Sequence, residues 1–318
     1  MSFISLNNSD GKRVLITGAS GFIGGTLMKL LKSKNYSVIA ATSRAEPRDD
    51  FVFIDFQNLN AVRSALSEIE PTHIIHLAGT NSKTMQEASR KISANSDFQM
   101  NSNLFKAASM GSTLPNVIFL GSCEEYGVLE SPFVESNNCK PITDYGKSKL
   151  ESSKLLTKFA DDQGMKSITL RPSVVYGIGQ EDGMLISSLV GNLLAKNTFE
   201  ILNPKQIRDF VHVEDVTRAI LLALEHRNPN ASQILNVSSG QSISVEAVVH
   251  KVISVMGRNY GKYVIFKPKF DLEGNPEYYK VENKLILERL GWEPKVNFEE
   301  GLTKYIEWRS MRMRGGIK

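Results

Sequence analysis

Near the start of the chain a short apolar run, Val14-Leu-Ile-Thr17, gives way to Gly18-Ala-Ser-Gly21-Phe-Ile-Gly24, and from Phe22 to Leu31 the apolar spacing becomes helical. The glycines therefore occupy a strand-to-helix turn, which is the constraint that most narrows what the chain can become. A turn of this kind binds pyrophosphate. Gly18 and Gly21 carry no side chains, so a phosphate can approach the backbone. The helix that follows offers unpaired N–H groups and the positive end of its dipole. Gly24 lets that helix pack closely, and Ser20, Phe22 and Ile23 belong to the same cofactor-binding turn.

A second signal lies far downstream, Tyr145-Gly-Lys-Ser-Lys149. Four-residue spacing puts the phenol and the ammonium on one face of a helix, about one turn apart. A lysine held there favours phenolate over phenol, so it is expected to lower the tyrosine pKa and make Tyr145 a general acid or base. The competing reading is an exposed Tyr/Lys pair on a surface helix.

A third element decides between them. Phe119-Leu-Gly-Ser122-Cys-Glu124-Glu-Tyr126-Gly127 follows the apolar run Val117-Ile-Phe-Leu120. A hydroxyl leaving the end of a buried strand is well placed to hydrogen-bond a substrate oxygen. With the glycine turn, this serine and Tyr-x-x-x-Lys in that order, the chain resembles the extended short-chain dehydrogenase/reductases, the nucleotide-sugar epimerase/dehydratase family. The resemblance runs from about Arg13 to about Trp308. It includes His76-Leu-Ala-Gly79, Leu170-Arg-Pro-Ser-Val-Val-Tyr-Gly177, Arg208-Asp-Phe-Val-His-Val-Glu-Asp215 and Leu290-Gly-Trp-Glu-Pro-Lys-Val-Asn-Phe-Glu-Glu-Gly-Leu302.

The expected fold class is α/β: a Rossmann-type, doubly wound parallel sheet with a smaller C-terminal substrate-binding lobe. Apolar runs at Val14–Thr17, Ser37–Ala41, Phe51–Ile54, His73–Leu77, Val117–Leu120 and Ser167–Leu170 alternate with helical segments, as in a parallel sheet covered on both faces. After Arg171-Pro172 the alternation breaks down. Helices are expected at Gly183–Ala195, Val213–Glu225 and Ser244–Met256, and strands at Phe199–Leu202, Ile234–Val237 and Tyr263–Phe266. The resemblance implies a dinucleotide-binding domain from 12–172 and 208–240, and a nucleotide-sugar-binding lobe from 173–207 and 241–318.

It also implies roles. Tyr145 moves the proton of the reacting oxygen, Lys149 tunes Tyr145 and anchors the cofactor ribose, and Ser122 steadies the oxygen. Asp55 and Phe56 line the adenine pocket, while Leu77, Ala78 and Gly79 pass beside the pyrophosphate and Pro172 completes the cofactor side. Thr80, Ser122, Cys123, Glu124, Val174 and Arg208 face the substrate, Arg208 through its diphosphate. An acidic residue after the second strand usually holds the ribose hydroxyls of NAD, whereas a basic one accommodates the 2′-phosphate of NADP. Here Thr42-Ser43-Arg44 ends that strand with no carboxylate before Glu46. Ser43 and Arg44 therefore favour NADP(H) over NAD.

Family dehydratases typically carry Asp then Glu after the serine, because eliminating water needs an acid and a base. This chain has Cys123 then Glu124, and a thiol is a poor acid. The segment looks most like the Gly-Ser-Ser-Glu-Glu-Tyr-Gly of reductases acting on GDP-4-keto-6-deoxy-sugars. The expected activity is NADPH-dependent reduction of the C4 ketone of a nucleotide-activated 4-keto-deoxysugar. A 4-epimerase with tightly bound NAD is the alternative. Glu124 is either a base that takes a proton from C5 or C3, which would make the enzyme an epimerase, or a hydrogen-bond acceptor for sugar hydroxyls. A non-catalytic NADP-binding sensor is the alternative of another class.

Two positions depart from the family pattern: Asp97 and Val174 stand where asparagines are usual. The C-terminal loop lacks a nucleotide-gripping arginine, leaving Lys267 or Lys269 as substitutes. His73, His76, His212, Asp209 and Asp215 are expected to be structural. No metal is expected.

Bulk properties exclude little. The 318 residues carry a formal net charge of +4, too mild to call for a nucleic acid. Two cysteines, Cys123 and Cys139, cannot make a disulfide framework, and Cys123 is expected to be a packing residue. No apolar run reaches a membrane span. The chain is expected to be cytoplasmic. Its basic end, Arg309–Arg314, is expected to be a frayed, solvated terminus. By family resemblance, helices around Asn101–Met110 and Tyr145–Ala160, with Leu104, Phe105, Leu150, Leu155, Leu156 and Phe159, would form a homodimer interface.

Overall fold

The structure is a computed structural model, and it describes residues 11–43, 51–79, 87–180, 182–226, 232–267 and 278–315. The first half alternates strictly: β1 (Val14–Thr17), α1 (Phe22–Ser33), β2 (Val38–Thr42), β3 (Phe51–Phe53), α2 (Leu59–Ile69), β4 (His73–His76), α3 (Glu87–Ser109), β5 (Asn116–Leu120), α4 (Asp144–Gln163) and β6 (Ser167–Pro172). There follow β7 (Val174–Tyr176), α5 (Leu185–Leu194), β8 (Phe199–Ile201), β9 (Ile207–His212), α6 (Val213–Glu225), β10 (Ser232–Val237), β11 (Ser242–Ser244), α7 (Val245–Met256), β12 (Val264–Phe266), α8 (Lys284–Leu290) and α9 (Phe298–Met313).

The main sheet has the order β10-β6-β5-β4-β1-β2-β3. Every pairing in it is parallel. β1 explains why its sequence is a continuous apolar run. Val14 and Ile16 enter the core on the face covered by α1 and α6, and Leu15 enters the core on the face covered by α2, α3 and α4. The chain builds outward through β2 and β3, then crosses back to β4, so the topology reverses between β1 and β4. Ligands of open α/β sheets bind in the crevice beyond the strand ends at such a reversal, and the glycine turn leaves β1 there.

The lobe is built around β9, which pairs in parallel with β7 and antiparallel with β11, together with a two-stranded β8/β12 unit. Its core joins residues of α5, α7 and α9, including Leu189, Val248, Leu302 and Tyr305. The division between the two parts differs from the expected one in two places. Ile207–His212 pairs with lobe strands, so the return to the main domain begins at α6. Residues 281–292, expected in the lobe, lie against the main domain: Val281 bridges Phe133, while Ile286 and Trp292 bury in the core beside α6, and Trp292 Nε1 donates to the Asp215 carbonyl oxygen at 2.9 Å.

Strands β7, β9 and β11 were not expected: β7 is only three residues long, and polar residues interrupt the apolar pattern of β9 and β11. In β9 the buried Asp209 accepts from the Ser173 hydroxyl at 2.6 Å and from the Ser239 amide at 2.8 Å. Asp215, 1% exposed, accepts from the amides of Lys295 and Val296 at 3.0 Å each and pairs with Arg218. These carboxylates tie returning segments together, the structural role expected of them. His76 is likewise a satisfied core imidazole, 2.5 Å from the Thr17 hydroxyl and 2.6 Å from Asn101 Oδ1, and burial pulls its pKa down to about 3.

Residues 309–313, expected to belong to a frayed terminus, lie in α9. α9 is capped by Asn297, whose side chain accepts from the Glu299 amide, and the helix continues to Met313 with Arg309 paired to Asp182 at 2.7 Å. Residue 263 belongs to a 3-10 turn, Arg258–Tyr263, and not to β12. Of the apolar residues on the two helices expected to meet a partner, Leu104, Phe105, Leu150 and Leu156 point into the core, and Leu155 and Phe159 are partly buried. The exposed positions of α4 are instead Lys147, Glu151, Lys154, Lys158, Asp161, Asp162 and Gln163. No described helix is long and apolar enough to cross a membrane.

Candidate active site

The glycine turn is built by close approach. Gly18 has φ +70°, and a Cβ there would sit 2.7 Å from the Ala78 amide nitrogen, so a side chain would push apart the loops leaving β1 and β4. A Cβ on Gly24 would collide with the backbone of Gly18 and Ala19. Ser20 and Gly21 are exposed at the mouth of the crevice, and Gly21, the N-cap of α1, makes no side-chain capping bond. The cradle is thus open on the side where helix amides converge, and these residues fit a dinucleotide pyrophosphate. Phe22 touches the lobe: a Cβ on Gly179 would lie 3.6 Å from its ring.

Across the crevice, β5 ends and a 3-10 turn, Cys123–Glu125, begins with Ser122 as its N-cap. The Ser122 hydroxyl oxygen accepts from the Glu124 amide at 3.1 Å and faces the Tyr145 phenol. α4 starts from Thr143, which caps it by accepting from the Gly146 amide at 2.9 Å. A Cβ on Gly146 would stand 2.5 Å from the Glu124 carbonyl oxygen. This glycine inside the Tyr-Gly-Lys-Ser-Lys segment is what allows the helix carrying Tyr145 to press against the turn carrying Ser122. Sequence reasoning passed over it, although its place beside the tyrosine was the available signal.

Lys149 is buried, and its ammonium donates to the Leu120 carbonyl oxygen at 2.8 Å. It lies 5.8 Å from the centroid of the Tyr145 ring, and a Cβ on Gly79 would lie 3.8 Å from it and 3.6 Å from Asp97 Oδ2. The expectation that Lys149 lowers the phenol pKa is corrected here. Burial, and after it the Glu124 charge, push the Tyr145 phenol above its ordinary value, with the Ser122 hydroxyl opposing them. Burial also pulls the Lys149 ammonium down, against the Asp97 and Glu125 charges, which hold it up. The buried phenol is thus held in its protonated form.

Glu124 receives a hydrogen bond from the Thr143 hydroxyl at 3.1 Å, and its charge is felt by Tyr145, Arg208 and Tyr279. Arg208 lies 4.8 Å over the Tyr279 ring and donates to the Ile207 carbonyl oxygen at 2.8 Å. Tyr279 was not singled out from the sequence. Cys123 is buried in a small cluster with Tyr126, Phe133, Tyr279 and Val281, as a packing residue. Val174 packs against the lobe core, and Pro172 ends β6 in register with Val237. At the end of β3 Asp55 is exposed, whereas the Phe56 ring lies in the core, which leaves only its backbone for an adenine pocket. Ser43 is exposed where β2 ends. Arg44, Thr80 and Lys269 lie outside the described residues. Among the described residues no group of three or more His, Cys, Asp or Glu could hold a metal ion.

The site thus places an open pyrophosphate cradle opposite a serine, tyrosine and lysine at the end of β5 and the start of α4, in the crevice of an extended short-chain dehydrogenase/reductase fold. Comparison with known proteins agrees: the model of the NAD dependent epimerase/dehydratase family matches residues 14–238, and the chain belongs to that family. A dTDP-4-dehydro-6-deoxyglucose reductase of Escherichia coli is 27% identical over 316 residues, covering 92% of this chain and 96% of that one. A UDP-glucose 4-epimerase of Vibrio cholerae is 25% identical over 321 residues, covering 92% and 94%. Among solved structures, MoeE5 in complex with UDP-glucose and NAD superposes with a TM-score of 0.82 at 27% identity, covering 95% of this chain and 99% of that one.

Proposed function

We propose that the protein reduces the C4 ketone of a nucleoside-diphosphate 4-keto-deoxysugar with NADPH. The observation that carries this reading is the end of β2. The strand lies next to β1, so Ser43 emerges beside the pyrophosphate cradle, and neither it nor Arg44 is the carboxylate that holds the ribose hydroxyls of NAD. The guanidinium of Arg44 has the chemistry to accommodate a 2′-phosphate instead. The similarity to the Escherichia coli reductase and Cys123, which stands where dehydratases usually carry the Asp acid, support the same direction.

The bound cofactor would supply a hydride to the carbonyl carbon. Ser122 donates to the substrate carbonyl oxygen and polarises it, Tyr145 delivers a proton to that oxygen as it gains negative charge, and Lys149 holds the cofactor ribose while its charge steadies the anion. A phenol kept protonated by burial suits this role. Arg208 holds the substrate diphosphate, with Tyr279 supporting its guanidinium. Glu124 accepts from sugar hydroxyls.

One observation favours the 4-epimerase instead, in which NAD would take and return the C4 hydride while Tyr145 carries the proton. MoeE5, of similar identity, is a complex with NAD. Cofactor content separates the two. The reductase is expected to purify without nicotinamide and to consume NADPH in proportion to product. A protein that arrives carrying NAD and ignores NADPH is the epimerase. We also propose that two copies pair through the outer faces of α3 and α4, so light scattering of the same preparation should give twice the 35.4 kDa of one chain, and a single-chain mass removes the dimer.

A further inference from the structure

Directly behind the Ser122 turn, Glu125 is fully buried. Its Oε1 accepts from the Ser122 amide at 2.9 Å. Its Oε2 accepts from the Ser153 hydroxyl at 2.9 Å and from Arg171 Nε at 2.9 Å, and lies 2.8 Å from Arg171 Nη2. Three elements converge on one carboxylate: the turn that carries Ser122, α4 and β6. Ser153 follows Lys149 by one helical turn and Tyr145 by two, on the same face of α4.

The two oxygens do different work. Oε1 fixes the backbone of the residue whose hydroxyl meets the substrate, and Oε2 fixes the helix that carries the acid. We infer that Glu125, clamped by Arg171, is a positioning residue that sets the Ser122 hydroxyl against Tyr145. This inference rests on the assignment of Ser122 and Tyr145 as the groups that act on the substrate oxygen.

Other features fit a rigid clamp. A Cβ on Gly121 would run into Glu125 Oε1, so the glycine preceding Ser122 makes room for the carboxylate. Arg171 stacks 4.8 Å over the Tyr126 ring, whose hydroxyl donates to Asn236 Oδ1 at 2.7 Å. A buried ion pair roughly repays its own desolvation, so stability alone gives little reason to keep one where apolar residues would pack as well. Its place between the two catalytic elements does give a reason.

The test uses the full-length protein. In Glu125→Val with Arg171→Met both charges leave together, so the double variant is expected to fold with a melting temperature near that of the wild type. Hydrogen exchange at the Ser122 amide should then quicken. With NADPH and the dTDP-4-dehydro-6-deoxyglucose ketosugar, kcat should fall by about tenfold or more while the NADPH dissociation constant stays within about threefold. Ser153→Ala strands no charge, and it should speed the same amide and lower kcat by about threefold. It decides alone if the double variant does not fold. Unchanged Ser122 exchange, or a wild-type kcat in a folded variant, overturns the inference. If the wild-type protein leaves the ketosugar untouched, the reductase reading fails, and the exchange measurement still decides on Glu125.

Discussion

Tyr145→Phe should lower kcat by about 10² to 10⁴ while leaving the NADPH dissociation constant within a few-fold, because the substitution removes the proton donor and keeps the ring. The phenol is poised for donation: burial and Glu124 hold it protonated, and Ser122 faces it from the end of β5. Steady-state kinetics and cofactor fluorescence titration separate the two quantities. Turnover near the wild-type rate would remove Tyr145 from the mechanism. A parallel loss of cofactor affinity would mean that the hydroxyl contributes to holding the cofactor as well as to proton transfer.

Arg44→Asp should weaken NADPH by roughly 30- to 150-fold, about 2 to 3 kcal/mol, because a charge-assisted bond to the 2′-phosphate is lost and a like charge takes its place. NADH lacks that phosphate, so its dissociation constant should change little, and the variant should lose its preference for NADPH. Titration of both cofactors against wild type and variant checks this. An equal effect on both, or none on either, would show that Arg44 does not read the phosphate and would return the cofactor assignment to NAD.

The parts of the fold legible in the sequence are those in which burial on two faces writes itself into composition. β1, β4 and β5 are apolar at successive positions because α1 and α6 cover one side of the sheet and α2, α3 and α4 the other. The lobe strands were less legible because their stability draws on buried polar bonds, such as Asp209 with Ser173 and Ser239, which no hydrophobic period announces. The same limit governed the site. Ser122, Tyr145 and Lys149 were singled out from chemistry, spacing and family resemblance, and the fold brings them to one crevice. Their mutual placement depends on Gly146 at the Glu124 backbone and on Glu125 beneath the turn, contacts made across long stretches of chain. The pKa of Tyr145 was misjudged for a related reason. The four-residue spacing describes the helix alone, whereas burial and the neighbouring Glu124 belong to the assembled crevice.

The central claim is net hydride delivery to a sugar ketone at the Ser122, Tyr145 and Lys149 cluster. It is tested most directly by incubating the wild-type protein with dTDP-4-dehydro-6-deoxyglucose and NADPH carrying deuterium at both C4 positions of the nicotinamide, and examining the sugar by NMR. The account predicts deuterium on the sugar C4 carbon, one NADPH consumed for each sugar reduced, and neither outcome in Tyr145→Phe over the same period. Ketosugar recovered with its C4 carbonyl intact, no deuterium at C4 and no NADPH consumed would contradict it.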